Sequence, residues 1–199
     1  MEIRKVISSR RSIHDFKAEN VDESKLIDIF FAAAWAPTHR MKEPWNVKLY
    51  QDEGRKDYAE LVLESYERAG FFASYNQEKK QKMCDGIRDF LLSIPHHALI
   101  YLERDQDKHK FEEDYAAVCA YIQNVQLLAW DEGIGVLWTT SPYLKDEKFI
   151  AQIGLDPSLH KPAAVLQMGY PNRIPSPKER TSMKNKLQII NEPFIHKKS

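Results

Sequence analysis

Apolar residues recur along this chain with two periods, and the switches between those periods divide it into elements. Ile3, Val6 and Ile7 stand at helical spacing within residues 2–9. A second helix is predicted after Asp22, where Leu26, Ile29, Phe30, Ala33 and Ala34 follow the i, i+3, i+4, i+7, i+8 order of a buried face. Asp22 suits its N-cap, and Pro37 ends it. Trp45, Val47 and Leu49 then alternate with Asn46, Lys48 and Tyr50, which predicts a half-buried strand. From 53 to 92 the pattern is helical again, with Tyr58, Leu61, Val62 and Tyr66 on one face, then Met83, Ile87, Phe90 and Leu91 on another. Gly70-Phe71-Phe72-Ala73-Ser74-Tyr75 interrupts these helices, and its three aromatic rings suit either core packing or the wall of a pocket for a flat ligand.

Ala98 to Leu102 is unbroken in its apolar character, as expected of a central strand. A long helix is predicted over 111–131, with Tyr115, Val118, Cys119, Ile122, Val125, Leu128 and Ala129 forming the spine of the core. Gly133-Ile134-Gly135 reads as a turn into a strand through Thr140, its glycines allowing something to approach the backbone closely. Residues 145–153 form a short helix that stops at Gly154, and 163–170 form the last strand. Pro171, Pro175 and Pro177 then impose an extended course. Leu187, Ile189, Ile190 and Phe194 in this tail need burial on another surface, either the parent domain or a second subunit.

Composition narrows the class. With 199 residues, one domain with a sizeable core is expected over 1–199, with 171–199 as an extended tail. Lys+Arg 29 balance Asp+Glu 29, so no net field draws the protein to nucleic acid or an anionic membrane, and any anion site must be local. Cys84 and Cys119 lack metal-ligand spacing and read as core residues of a reduced, cytoplasmic protein. His96 and His97 have no partner at metal spacing, and no metal is expected. No signal peptide or membrane-spanning run is evident.

The chemistry concentrates in Ser9-Arg10-Arg11-Ser12-Ile13-His14, at the end of the first helix. Paired guanidinium groups beside a hydroxyl match the geometry of phosphate, although arginines at a helix C-terminus also simply complement its dipole. Distant motifs join this stretch: an Ala-Pro loop from Ala36 to Trp45, Gly-x-Gly-x-x-Trp over 133–138, and Gly-Tyr-Pro at 169–171 followed by Lys178-Glu179-Arg180. In order and spacing over the whole chain, these resemble the nitroreductase family of FMN-dependent oxidoreductases.

That resemblance implies an α+β fold, a mixed and mostly antiparallel sheet flanked by helices, in an intertwined homodimer with FMN at the subunit interface and the tail on the partner. By the same resemblance Arg10 and Ser12, with Arg11 beside them, hold the phosphate and ribityl chain, and Lys178 and Arg180 close on the phosphate. Thr38, His39 and Arg40 reach the flavin from the partner subunit, while Leu137, Trp138 and Thr139 pass along its ring. No general base is implied; Arg40 would stabilise the negative charge that collects near N1 and O2 of a reduced flavin. The implied activity is ping-pong reduction of nitroaromatic, quinone or similar acceptors by NADH or NADPH, the alternative being an FMN-binding protein without turnover. Segments 66–80 and 104–113 would shape the acceptor pocket. The sequence departs from the family at His14, where an arginine is usual, and at Met41 and Glu43 in the Ala-Pro loop.

Overall fold

The computed structural model describes residues 2–191, so Phe194 lies outside the described residues. The alternating stretch around Val47 is strand β1 (Asn46–Tyr50), and the apolar run is β2, extended at both ends to His96–Glu103. Gly135–Thr139 forms β3 and His160–Gly169 forms β4. The strands lie in the order β1-β2-β4-β3, every neighbouring pair antiparallel. The parallel component is one bridge, between Ser12 and Val136 at the edge of β3. The expected mixed, mostly antiparallel sheet is therefore present.

Among the described residues six α-helices surround it: α1 (Ile3–Ser9), α2 (Glu23–Ala33), α3 (Gly54–Arg68), α4 (Gln77–Ser93), α5 (Lys108–Asp131) and α6 (Glu147–Gln152). Asp22 caps α2 as predicted, accepting from the Ser24 N–H at 2.8 Å. Helix α5 starts three residues before the predicted boundary because Asp107 accepts from the N–H groups of His109 and Lys110. Gly154, with φ of 76°, follows α6 where the sequence pattern placed its end.

The period of two in the strands divides the core. Ala98, Ile100 and Leu102 of β2 pack with Ala164, Leu166 and Met168 of β4 against α2 and α5. Leu99 and Val165 point the other way, into a cluster with Tyr58, Val62, Tyr143, Phe149 and Ile150. Phe72 joins the interior, whereas Phe71 is largely exposed and stacks on Tyr66 near the end of α3. Cys84 and Cys119 are free and half-buried, a less enclosed placement than expected of core residues. Among the described residues, no helix is long and apolar enough to cross a membrane.

Candidate functional site

Helix α1 ends where its backbone bonds run out, at Arg10, whose N–H donates to Val6 O at 2.9 Å. The Trp130 indole N–H at the end of α5 donates to Ser9 Oγ at 2.9 Å and ties the two helix ends together. Beyond Arg10 the chain is extended and runs along the edge of β3, with Ile13 N–H donating to Val136 O at 3.2 Å. Ile13 is fully buried while Ser12 and His14 on either side are exposed, so the alternation of a strand turns Ser12 and His14 outward. Gly135 makes this possible: a Cβ there would meet Ile13 Cγ1 at 2.6 Å and Cβ at 2.9 Å. The glycine allows a close approach, and what approaches is the segment that carries the site.

The same segment captures the tail. Lys17 N–H donates to Tyr170 O at 2.8 Å, Phe16 bridges Pro171, and Asn172 bonds Asp15 through both its backbone and its side-chain amide. From there the chain through Pro175 and Pro177 runs beside α1. Arg10, Arg11, Ser12 and His14 thus face Lys178 and Arg180 across a cleft of about 790 Å³, with Ile7, Ser8 and Ser176 completing its lining.

The two arginines have different duties. Arg11 folds back, donating to Ser8 O at 2.9 Å and Arg10 O at 2.8 Å, so it satisfies carbonyls at a helix end. Arg10 is half-buried, and its Nη1 is buried without a hydrogen-bond partner among the described residues. Burial, and then the neighbouring cations Arg180 and Arg11, hold its pKa below the ordinary guanidinium value. A buried donor facing like charges is satisfied by an anion, which would remove both the desolvation penalty and the repulsion.

The other predicted residues lie apart from this cleft or lead away from it. Leu137, Trp138 and Thr139 are half-buried and continue β3 from the Val136 that bridges Ser12; the Thr139 hydroxyl donates to Val165 O at 3.2 Å. Thr38, His39 and Arg40 form a short turn after α2 and do not line the cleft of their own chain. Thr38 Oγ1 accepts from the Glu43 N–H at 2.9 Å, and His39 Nδ1 lies 3.9 Å from a Glu113 carboxylate oxygen. Three features escaped the sequence reading. Lys42 and the buried Asp114 form an ion pair beneath this turn; a carboxylate one turn before Val118, in phase with the α5 stripe, was the available signal. Gly135 had the signal of its motif but not its contact. His96 and His97 are buried and neutral, desolvation lowering each to about 4.

A sequence model of the Nitroreductase family matches residues 7–170, from within α1 to the end of the sheet. This chain belongs to the nitroreductase family. Bacillus subtilis (strain 168) YfhC, whose name places it among NAD(P)H nitroreductases, is 32% identical over 189 residues, 93% of this chain and 92% of that protein. The crystal structure of a nitroreductase-like family protein from Bacillus cereus is 36% identical with a TM-score of 0.86, over 96% of this chain and 97% of that one. A nitroreductase from Desulfovibrio desulfuricans, solved in complex with FMN, has a TM-score of 0.74 at 19% identity, over 97% and 99% of the chains, and so shares the fold. The matched family region ends just before the tail, so Lys178 and Arg180 reach the cleft from outside that region.

Proposed function

We propose that this protein is an FMN-dependent oxidoreductase that uses NADH or NADPH to reduce nitroaromatic, quinone or similar acceptors. The observation that carries the reading is the convergence of Arg10, Ser12 and His14 with Lys178 and Arg180 in one cationic cleft holding a guanidinium nitrogen without a partner among the described residues. These residues fit the phosphate of FMN: Arg10 supplies a desolvated fork of donors, Ser12 a hydroxyl, and the tail a second pair of cations. His14 occupies the outer rim, where its shorter side chain is exposed to water. FMN, when bound, supplies the hydride transfer that links NAD(P)H to the acceptor in alternating half-reactions.

Leu137, Trp138 and Thr139 lead from the cleft along β3 and would flank the ring. Thr38, His39 and Arg40 lie outside the cleft of their own chain, which is consistent with a partner subunit supplying them. Two rows of exposed apolar residues support a homodimer: Ile3 and Ile7 on α1, and Ile27 and Phe31 on α2 with Trp35 in the turn just past its end, the last 90% exposed. The tail adds Leu187, Ile189 and Ile190, all exposed on the single chain and suited to packing on a second copy. A reduced, cytoplasmic setting agrees with the two free thiols.

Purified protein is expected to be yellow or to take up added FMN, and NADH or NADPH should bleach the flavin band under anaerobic mixing. Re-oxidation by a nitroaromatic or quinone completes the cycle. Protein that binds FMN yet stays yellow with both nicotinamides is a non-catalytic binder. Colourless protein that takes up no FMN overturns the proposal altogether.

A further inference from the structure

Residues 38–43 hold a backbone that side chains ordinarily avoid. Arg40, Met41 and Glu43 all have positive φ, at 53°, 54° and 47°. None is glycine, asparagine or aspartate, the residues that enter this region readily. Such a run persists only where the surroundings over-determine it, and here the ties are visible. Thr38 Oγ1 accepts from the Glu43 N–H across the turn. The Lys42 ammonium donates to Asp114, whose side chain is 5% exposed on α5, and lies 3.8 Å from Asp105. A carboxylate taken out of water in an apolar helix face needs a charged partner, and Lys42 is that partner. Just beyond, Pro44 is buried and Trp45 stacks on Tyr121 of the same helix, with centroids 5.1 Å apart. The turn is therefore fastened to α5 on its C-terminal side, and His39 and Arg40 are left exposed at its apex.

We propose that Lys42 is a positioning residue: its ion pair with Asp114 holds the turn over residues 38–43, with Arg40, Met41 and Glu43 left-handed, and thereby presents Arg40 to the cofactor of a partner subunit. This role rests on the FMN reading of the site. Lys42 itself acts through the loop, since Asp114 and Asp105 already occupy its charge.

The test uses the full chain with Lys42→Met, Lys42→Arg, Arg40→Gln and the Lys42→Met/Arg40→Gln double variant. In cofactor-free protein, the Glu43 amide should exchange its hydrogen at least about tenfold faster in Lys42→Met, with Lys42→Arg restoring much of the protection. In FMN-reconstituted protein, Arg40→Gln and Lys42→Met should each lower the preference for reduced over oxidised FMN about tenfold, a midpoint potential about 30 mV more negative. The double variant should show no further change. Unchanged exchange or an unchanged potential in Lys42→Met overturns the proposal, as do additive shifts in the double variant, which would mean that Lys42 acts by its own charge. If wild-type protein binds FMN but Arg40→Gln does not move the potential, the positioning role falls while the FMN reading stands. A chain that takes up no FMN sinks the functional reading and this role with it.

Discussion

Gly135→Ala probes the coupling between the sheet and the arginine segment. The glycine does not have positive φ, so alanine is acceptable to its backbone and would on its own relieve about 0.5–1 kcal/mol of conformational entropy. Its methyl group, however, would lie 2.6 Å from Ile13 Cγ1 and 2.9 Å from Ile13 Cβ. Restoring ordinary contact requires a recession of about 0.8 Å. Ile13 is fully buried and its N–H already donates to Val136 O at 3.2 Å, so the same movement stretches that bond to breaking. Overpacking of about 1–3 kcal/mol and a lost hydrogen bond of about 1 kcal/mol, less the entropic relief, leave a net destabilisation of about 2 kcal/mol. For a chain of this length that is a fall in Tm of about 4–8 °C. Because Arg10, Ser12 and His14 flank Ile13, FMN affinity should fall roughly tenfold or more in the same variant, measured by fluorescence titration at a temperature where the protein is fully folded. Ile13→Ala removes the 2.6 Å contact, so its cost should be smaller in the Gly135→Ala background than alone. A variant with lowered Tm but wild-type FMN affinity would refute the argument that β3 positions the anion site.

Arg10→Ala should weaken FMN binding by about 1.5–3 kcal/mol, roughly ten- to a hundredfold, whereas Arg11→Ala should show the smaller effect of a helix-end contact; unchanged affinity in Arg10→Ala would mean that the phosphate lies elsewhere. Acid should destabilise the fold through the buried imidazoles. His97 is held near 4 in the folded protein against 6.5 when exposed, so its contribution is complete above pH 6.5 and lost as pH falls to about 4. That contribution is about 3 kcal/mol, and urea unfolding of His97→Asn across pH 7 to 4 should show a correspondingly flatter profile. If the proposed homodimer packs through the exposed row Ile27, Phe31 and Trp35, Trp35→Asp should give a monomer in light scattering by placing a charge on that row; an unchanged mass would locate the interface elsewhere.

Much of this protein is legible in its residues, because periodicity and capping are local. The faces of α2 and α5, the cap at Asp22, the stop at Gly154 and the shared side of Trp45, Val47 and Leu49 follow from spacing alone, although Lys48 and Tyr50 on the other side of β1 are half-buried too. The motif order placed Arg10, Arg11, Ser12, His14, Lys178 and Arg180 in one proposed site, and those residues do line one cleft. What spacing cannot express is the contact made across the fold. Arg10 and Arg11 are equivalent as letters, yet Arg11 satisfies carbonyls at a helix end and Arg10 is left with a buried nitrogen that has no partner among the described residues, since only the path of the chain beside β3 distinguishes them. Asp114 and Lys42 belong to separate elements, and their pairing arises where α5 passes beneath the turn after α2. Gly135 announces a close approach in the sequence, but that Ile13 makes it, and so hangs the arginine segment on the edge of the sheet, depends on strand order and register, which long-range packing sets.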